Sequence, residues 1–545
     1  MGAPAVSCGE KLIELLSAYG IDTAFGIPGN HTVQLYRGLA RSGIRHISPR
    51  HEQGAGFMAD GYARATGRPA VCLLISGPGL GNAVTPFMQA LADSIPMLVI
   101  SAVNARDHMG LGEGRLHELP DQRALMSQCT RFSHTLMAVE QLPKVLARAF
   151  AVFQSSRPGP VHIEIPLDVI EADASQIPSQ PWPQVKPACA SPPALEELAQ
   201  RLLSAEKPCL IAGGGAVGAA TEIRALSGAL SLPVVTTVNG KGILPKAHPL
   251  LVPGSPSLQC TRDLLAGSDL VLAVGTEFGE TDYDMLFLGD LPALPWLARI
   301  DISAEQFSRN LPADLSLVGD SRTSLRALIK LLGNVEKDPS AAQQRVAACR
   351  SAHATESHVS AEIQRFFDCL QLSLPDLCLV GDSTLPTYFA VWQYESASPR
   401  RYFHSATGGG TLGYAIPAAI GAKRALGTQT PVVALIGDGA AQFTLMELAA
   451  AAQEALPVIV LLWNNHGYHE IKKGMLAADI TPVGVDIAAP DFVMAAQALG
   501  CEATRVSDMD MLASALRSAE TADKPTLIEV DESSFVSAGL GAWYE

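Results

Sequence analysis

The chain has 545 residues, of which 48% are hydrophobic and only 17% charged, a balance that suits about three globular domains and excludes a disordered or fibrous protein. Its formal net charge of -15 repels phosphate backbones and argues against nucleic acid as a partner. Ten cysteines are scattered without a CxxC spacing, which points to a reduced, cytoplasmic protein rather than a disulfide framework or a zinc site.

In chain order, no charged-then-apolar leader opens the sequence, and no apolar run reaches the roughly 18 residues of a membrane span. A first block, 1–170, alternates apolar strand runs with helical periodicity. Two glycine turns, Gly26-Ile27-Pro28-Gly29 and Ser76-Gly77-Pro78-Gly79, follow strand-like runs, with Asn82 just beyond the second. As bare Pro-Gly turns they are unspecific. Between them His51-Glu52-Gln53 opens a helix, where a first-turn carboxylate suits the helix dipole. The loop 104–118 carries His108 and His117, either of which can hold or donate a proton near neutral pH.

A proline-rich stretch, 171–193, and a polar, alanine-rich stretch, 334–359, read as linkers and leave a middle block at 194–333 and a third at 360–545. The middle block holds Gly213-Gly214-Gly215-Ala216-Val217-Gly218, a formal GxGxxG after a strand. A dinucleotide site places an acid about 20 positions further on. The run Val234 to Asn239 offers none, so FAD is not expected here. The acidic run 275–284 follows a strand and is either a cleft lining or a solvated loop.

In the third block, Gly381-Asp382-Ser383-Thr384 and the glycine run Gly408-Gly409-Gly410-Thr411-Leu412-Gly413 precede the most specific feature of the chain. The apolar run 431–436 ends in Gly437-Asp438-Gly439. A helix-length segment, 441–455, with Phe443, Leu445, Leu448 and Ala452 on one expected buried face, leads to a second apolar run, 456–463, and Asn464-Asn465. This is a βαβ unit with Asp and Asn at the carboxyl ends of parallel strands, the edge where open α/β sheets bind ligands. A carboxylate and an amide oxygen there suit Mg²⁺. The glycines and the helix N-terminus suit a phosphate. At this point the chain resembles the thiamine diphosphate-dependent family of 2-oxo acid decarboxylases and acetohydroxyacid synthases, whose signature is GDG followed at this distance by NN.

The resemblance covers essentially the whole chain and implies an α/β fold of three doubly wound parallel-sheet domains: pyrimidine-binding over 1–170, central and Rossmann-like over 194–333, diphosphate-binding over 360–545. It implies thiamine diphosphate and Mg²⁺ as cofactors and a homodimer or homotetramer, the pyrimidine domain of one subunit and the diphosphate domain of another enclosing each cofactor. Carried over residue by residue, Glu52 binds N1′ of the aminopyrimidine, and Gly26, Pro28, Gly29, Gly77 and Asn82 surround that ring. A carboxyl in this role must keep a proton, which calls for an apolar site. Asp438, Asn465 and the carbonyl of Gly467 ligate the metal. Gly437, Gly439, Ala440 and Tyr468, with Asp382, Ser383 and Thr384, lie against the diphosphate. Leu412 props the cofactor in its V shape, with the Gly410 carbonyl at N4′.

The chain departs from the family in two places. Where acetohydroxyacid synthases have Phe-Gln-Glu it has Leu116-His117-Glu118, and where pyruvate decarboxylases have a His-His pair it has Asp107-His108. Either His108 or His117 is thus a candidate proton donor, His117 in the Phe-Gln-Glu-like slot. Where pyruvate decarboxylases place a catalytic Glu after the metal site it has Ile471, with Glu470 one position earlier as the candidate acid. With the synthase pattern replaced, the expected reaction is non-oxidative decarboxylation of a 2-oxo acid to an aldehyde and CO₂. The alternative is an acetolactate synthase-type joining of two 2-oxo acids. A chain that binds cofactor without turnover is a third reading, opposed by the retention of Glu52. The strings 116–123, 275–284 and 464–471 resemble the 5-guanidino-2-oxopentanoate decarboxylases, in which an acid such as Glu470 would meet the guanidinium. The segment 534–545 reads as a lid.

Overall fold

The computed structural model describes residues 6–283, 293–356 and 360–536. Its strands are short, nearly unbroken apolar runs. Met97–Val103 is buried at all seven positions, as a strand covered by helices on both faces must be.

Strands β1 (Thr23–Gly26), β2 (Arg45–Ile47), β3 (Ala70–Leu74), β4 (Met97–Val103), β5 (Phe132–Thr135) and β6 (Pro160–Pro166) form one sheet in the order β2-β1-β3-β4-β6-β5. The central sheet contains β7 (Pro208–Ala212), β8 (Val234–Thr236), β9 (Leu270–Val274), β10 (Leu297–Asp301) and β11 (Leu315–Val318), in the order β11-β10-β9-β7-β8. The third contains β12 (Cys378–Gly381), β13 (Tyr402–His404), β14 (Val432–Gly437), β15 (Ile459–Asn464), β16 (Glu502–Val506) and β17 (Thr526–Asp531), in the order β13-β12-β14-β15-β17-β16. Every pairing among these strands is parallel. The first and third sheets share one strand order, so the two outer blocks are topological duplicates.

The duplication governs how they pack. The helix Glu52–Thr66 follows the second strand of its sheet, and Ala415–Leu426 follows the second strand of the other. The two helices cross at glycines: a Cβ on Gly61 would lie 1.9 Å from the Ala418 carbonyl oxygen, and one on Gly421 would lie 1.8 Å from that of Met58. The shift that carries Met58 onto Ala418 also carries Gly61 onto Gly421, so the two contacts exchange under a pseudo-twofold. Nearby, buried Arg64 donates to Asp60 and Asp93 of its own block and to Asn239 of the central block, and Tyr414 of the third block donates to Asp60. One guanidinium thus ties all three blocks together.

The stretch 334–359, expected as a linker, contains the helix Ser340–His353. Ala342, Val346 and Cys349 are its buried stripe, at a spacing too sparse to stand out in an alanine-rich sequence.

Candidate cofactor site

The first half of the site lies at the carboxyl edge of the first sheet. β1 ends at Gly26, where a Cβ would sit 2.0 Å from the Leu73 carbonyl oxygen, so the turn requires glycine. Glu52 begins its helix directly after β2 and is partly buried. Asn82 Nδ2 donates to Glu52 Oε2 (3.0 Å). A Cβ on Gly79 would stand 2.4 Å from Ile75 and 3.3 Å from Glu52 Oε1. Gly77, at φ +62°, donates its N–H to Gln122 Oε1 (2.9 Å) and packs against the His117 carbonyl. The His117 ring stands perpendicular to that of His31, with centroids 5.2 Å apart.

Glu447, from the third block, braces this half. Its carboxylate accepts the N–H groups of Arg50 (2.9 Å) and His51 (3.0 Å), where the chain turns into the Glu52 helix, and a Cβ on Gly54 would strike it at 2.3 Å. Burial pushes its pKa up to about 7, against the pull of those two amides. The sign of the pH dependence follows. A carboxyl whose folded-state pKa lies above its ordinary value contributes stability that is fully present below about 4.5 and is lost as pH rises through about 7. Glu447→Gln removes that loss. Between pH 5 and pH 8 the stability of the native chain relative to this variant should fall by about 1–3 kcal/mol. Urea unfolding of both proteins at the two pH values measures it, and an equal difference at both would contradict the assignment.

The helix that carries Glu447 also departs from the expected one. The segment 441–455 is broken: Asp438–Thr444 is α-helical, Leu445–Glu447 is a 3-10 turn, and Leu448–Gln453 resumes the α-helix. Phe443, expected on the buried face, is 53% exposed, while Leu448 is fully buried: at roughly 100° per residue Phe443 stands about 140° from Leu448 even in a regular helix.

The second half lies at the carboxyl edge of the third sheet. Asp438, directly after β14, is 1% exposed, and burial raises its pKa. Its Oδ1 accepts a long bond from the Asn465 N–H (3.4 Å), and its Oδ2 has no partner. Asn465 follows β15. Its Nδ2 donates to Glu532 Oε2 (3.1 Å), which also accepts from Trp463 Nε1 (2.6 Å), and this pinning leaves the amide oxygen as the free acceptor. Gly467 adopts φ +139°, and a Cβ there would meet the Val485 carbonyl oxygen at 2.4 Å. The Tyr468 ring closes over Gly439, 2.7 Å from where a Cβ would be. An orphaned buried carboxylate oxygen, an oriented amide oxygen and a backbone carbonyl make a hard-oxygen donor set that fits a small divalent cation. Among the described residues no cluster of three His, Cys, Asp or Glu side chains competes for such an ion.

Two glycine-bearing loops flank these residues. Gly410 is exposed at φ +64°, and Leu412 beyond it is partly buried against the core. Asp382 departs from its expected place against a diphosphate. Its carboxylate accepts the N–H groups of Ser383 and Ala415 (2.9 Å each), fully buried, with its pKa pushed up to about 6 by burial. It joins its loop to the start of the helix Ala415–Leu426 rather than facing outward. Thr384, whose Oγ1 lies 3.0 Å from a Cβ built on Gly437, stands beside the Asp438 turn.

Three family models match the chain: the thiamine pyrophosphate enzyme N-terminal TPP-binding domain over residues 6–125, the central domain over 195–328 and the C-terminal TPP-binding domain over 384–530. The chain is a thiamine pyrophosphate enzyme. It is 45% identical, over 96% of its length and 94% of the relative's, to the probable 2-ketoarginine decarboxylase AruI of Pseudomonas aeruginosa. It is 34% identical over 91% of its length to an acetolactate synthase of Mycobacterium bovis, covering 83% of that protein. It is 31% identical over 94% of its length to the acetolactate synthase isozyme 3 large subunit of Escherichia coli, covering 92% of that subunit.

In this thiamine pyrophosphate enzyme the two candidate histidines part company. His108 lies in an exposed turn, where Arg115 Nη2 donates to its Nδ1 (3.1 Å) and Glu113 stands 3.8 Å away. His117 stays at the Gly77 turn. Glu470 sits in the helix Tyr468 leads into, His469–Ala477, paired with Lys473 (3.2 Å), and its neighbour Ile471 is 59% exposed. Among the described residues no hydrogen bond or ion pair joins Glu52, Asn82 or His117 to Asp438, Asn465 or Glu470. The acidic run 275–284 lines a cleft. Glu277 and Asp282 border a cavity of about 360 Å³ at the edge of the central sheet, and Asp284 lies outside the described residues. Of the expected lid, 537–545 lies outside them too. No helix among the described residues is long and apolar enough to cross a membrane. Sequence reasoning missed His31. The only local signal was an imidazole two places after the Gly29 turn.

Proposed function

We propose that the enzyme carries out the thiamine diphosphate- and Mg²⁺-dependent, non-oxidative decarboxylation of 5-guanidino-2-oxopentanoate to an aldehyde and CO₂. The observation that carries the reaction type is the imidazole of His117 on the Gly77 turn, in the half-site that also holds Glu52. Decarboxylation of a 2-oxo acid anion to an aldehyde takes up one proton for each CO₂ released, and an imidazole supplies one near neutral pH. The likeness to a relative named for 2-ketoarginine, the same compound, supports the substrate.

When bound, the cofactor supplies the electron sink that makes loss of CO₂ possible. Glu52, steadied by Asn82, holds a proton against the pyrimidine. Asp438, Asn465 and the Gly467 carbonyl hold Mg²⁺, and Gly437, Gly439, Ala440, Ser383, Thr384 and Tyr468 surround the diphosphate. Leu412 and Gly410 would complete the seat of the cofactor's ring portion. As the family resemblance implies, each cofactor lies between two subunits of a homodimer or homotetramer in the cytoplasm. Glu470 is the acid placed for a guanidinium. A second reading, joining of two 2-oxo acids, is favoured by the acetolactate synthases among the relatives. With Mg²⁺ and thiamine diphosphate present, kcat/KM for the guanidino acid should exceed that for pyruvate and for an aromatic 2-oxo acid by at least about tenfold. Pyruvate as the best substrate would overturn the assignment.

A further inference from the structure

The proposed reaction breaks the bond to the carboxylate carbon and releases CO₂. The electron pair left on the carbonyl carbon takes a proton to become the aldehyde C–H, and water returns a proton to the donor. Such a site works best when its donor carries one proton in one place. Two imidazoles, however, meet at the Gly77 turn. His31, in the 3-10 turn Asn30–Thr32, is 9% exposed, and its Nδ1 shares a hydrogen bond of 2.5 Å with the hydroxyl of fully buried Ser76. Its ring stands at 90° to that of partly exposed His117. From the interior outward the order is Ser76, His31, His117.

We propose that His31 is a positioning residue: held by Ser76, it fixes the ring of His117 edge-on and is electrically coupled to it, so that the outer imidazole is the one set to donate. The proposal rests on the decarboxylase reading. Two imidazolium rings about 5 Å apart repel each other, and the buried one yields first. The titratable side chain that faces His31 is His117, and Ser76 on its other side is neutral. Accordingly, burial first and the charge of His117 second hold the proton affinity of His31 below its ordinary value. A histidine with only a structural part in the turn would need the Ser76 bond but no electrical coupling to His117.

The coupling can be read without substrate or cofactor. Hydrogen exchange at the imidazole C2 position, followed by mass spectrometry, gives a titration for each histidine in the full-length protein. His31 should titrate below the ordinary imidazole range, and in His117→Asn its midpoint should rise by about half a unit or more. In the loaded enzyme His31→Gln should lower kcat by about 10- to 100-fold and displace its pH profile, with KM changed less than about threefold. Ser76→Ala, which keeps the imidazole and removes its anchor, should displace the profile in the same direction, and it serves should His31→Gln not fold. An identical His31 midpoint in the wild type and His117→Asn, with superimposable kcat profiles, would overturn the proposal. Coupled titration in an enzyme that forms only joined products would overturn the decarboxylase reading and this use of the pair with it. Uncoupled titration in an enzyme that forms the aldehyde would overturn the pair alone.

Discussion

Glu52→Gln should lower kcat by about 10²–10⁴-fold while thiamine diphosphate and Mg²⁺ still bind within about threefold of the wild type. The change keeps the shape of the side chain and an oxygen able to accept from Asn82 Nδ2, so the turn at Gly79 and the start of the helix stay as they are. What it removes is an acid that can hold and release a proton at the pyrimidine. Calorimetric titration with cofactor, beside the rate of CO₂ release, separates the two effects. Loss of binding in step with loss of rate would make Glu52 a structural residue of the turn. Retained turnover would take the activating role from it.

Asp438→Ala should weaken binding of the Mg²⁺–thiamine diphosphate pair by about 2–5 kcal/mol, roughly 30-fold or more, and remove activity at ordinary cofactor concentrations. The same variant without cofactor should be as stable as the wild type or more so. In the native chain this carboxylate is buried with one oxygen unpartnered, a standing cost of about 1–3 kcal/mol that a bound cation would relieve. Opposite signs in the two measurements distinguish a ligand from a structural acid. Thermal unfolding with and without Mg²⁺ and cofactor provides both, and a variant destabilised in both states would contradict the role.

Much of the fold could be read from residues. Runs such as Met97–Val103 and Val432–Gly437 lack the alternation of a half-exposed strand, so covered parallel sheets were the natural reading. The Asp438 half of the site was legible because its chemistry is local: Asp438 and Asn465 each follow a strand directly, and adjacent parallel strands bring their carboxyl ends together. What escaped depends on distant partners or on the phase of a residue around its helix. Phe443 falls on the exposed side because a regular helix already sets it about 140–180° from Leu445, Leu448 and Ala452, a phase that a bare series of apolar residues hides. The inward turn of Asp382 depends on the amide of Ala415, and the brace of Glu447 depends on the amides of Arg50 and His51. His31 gains meaning only from Ser76 and His117, which the fold, not the sequence, brings beside it.

The most direct test of the account is the organic product formed from 5-guanidino-2-oxopentanoate in the presence of Mg²⁺ and thiamine diphosphate, weighed by mass spectrometry while CO₂ is counted. The account predicts 4-guanidinobutanal, one CO₂ lighter than its parent, in equal amount with the CO₂ released. A product joining two substrate molecules, or no CO₂ from this acid while pyruvate is consumed, would contradict it.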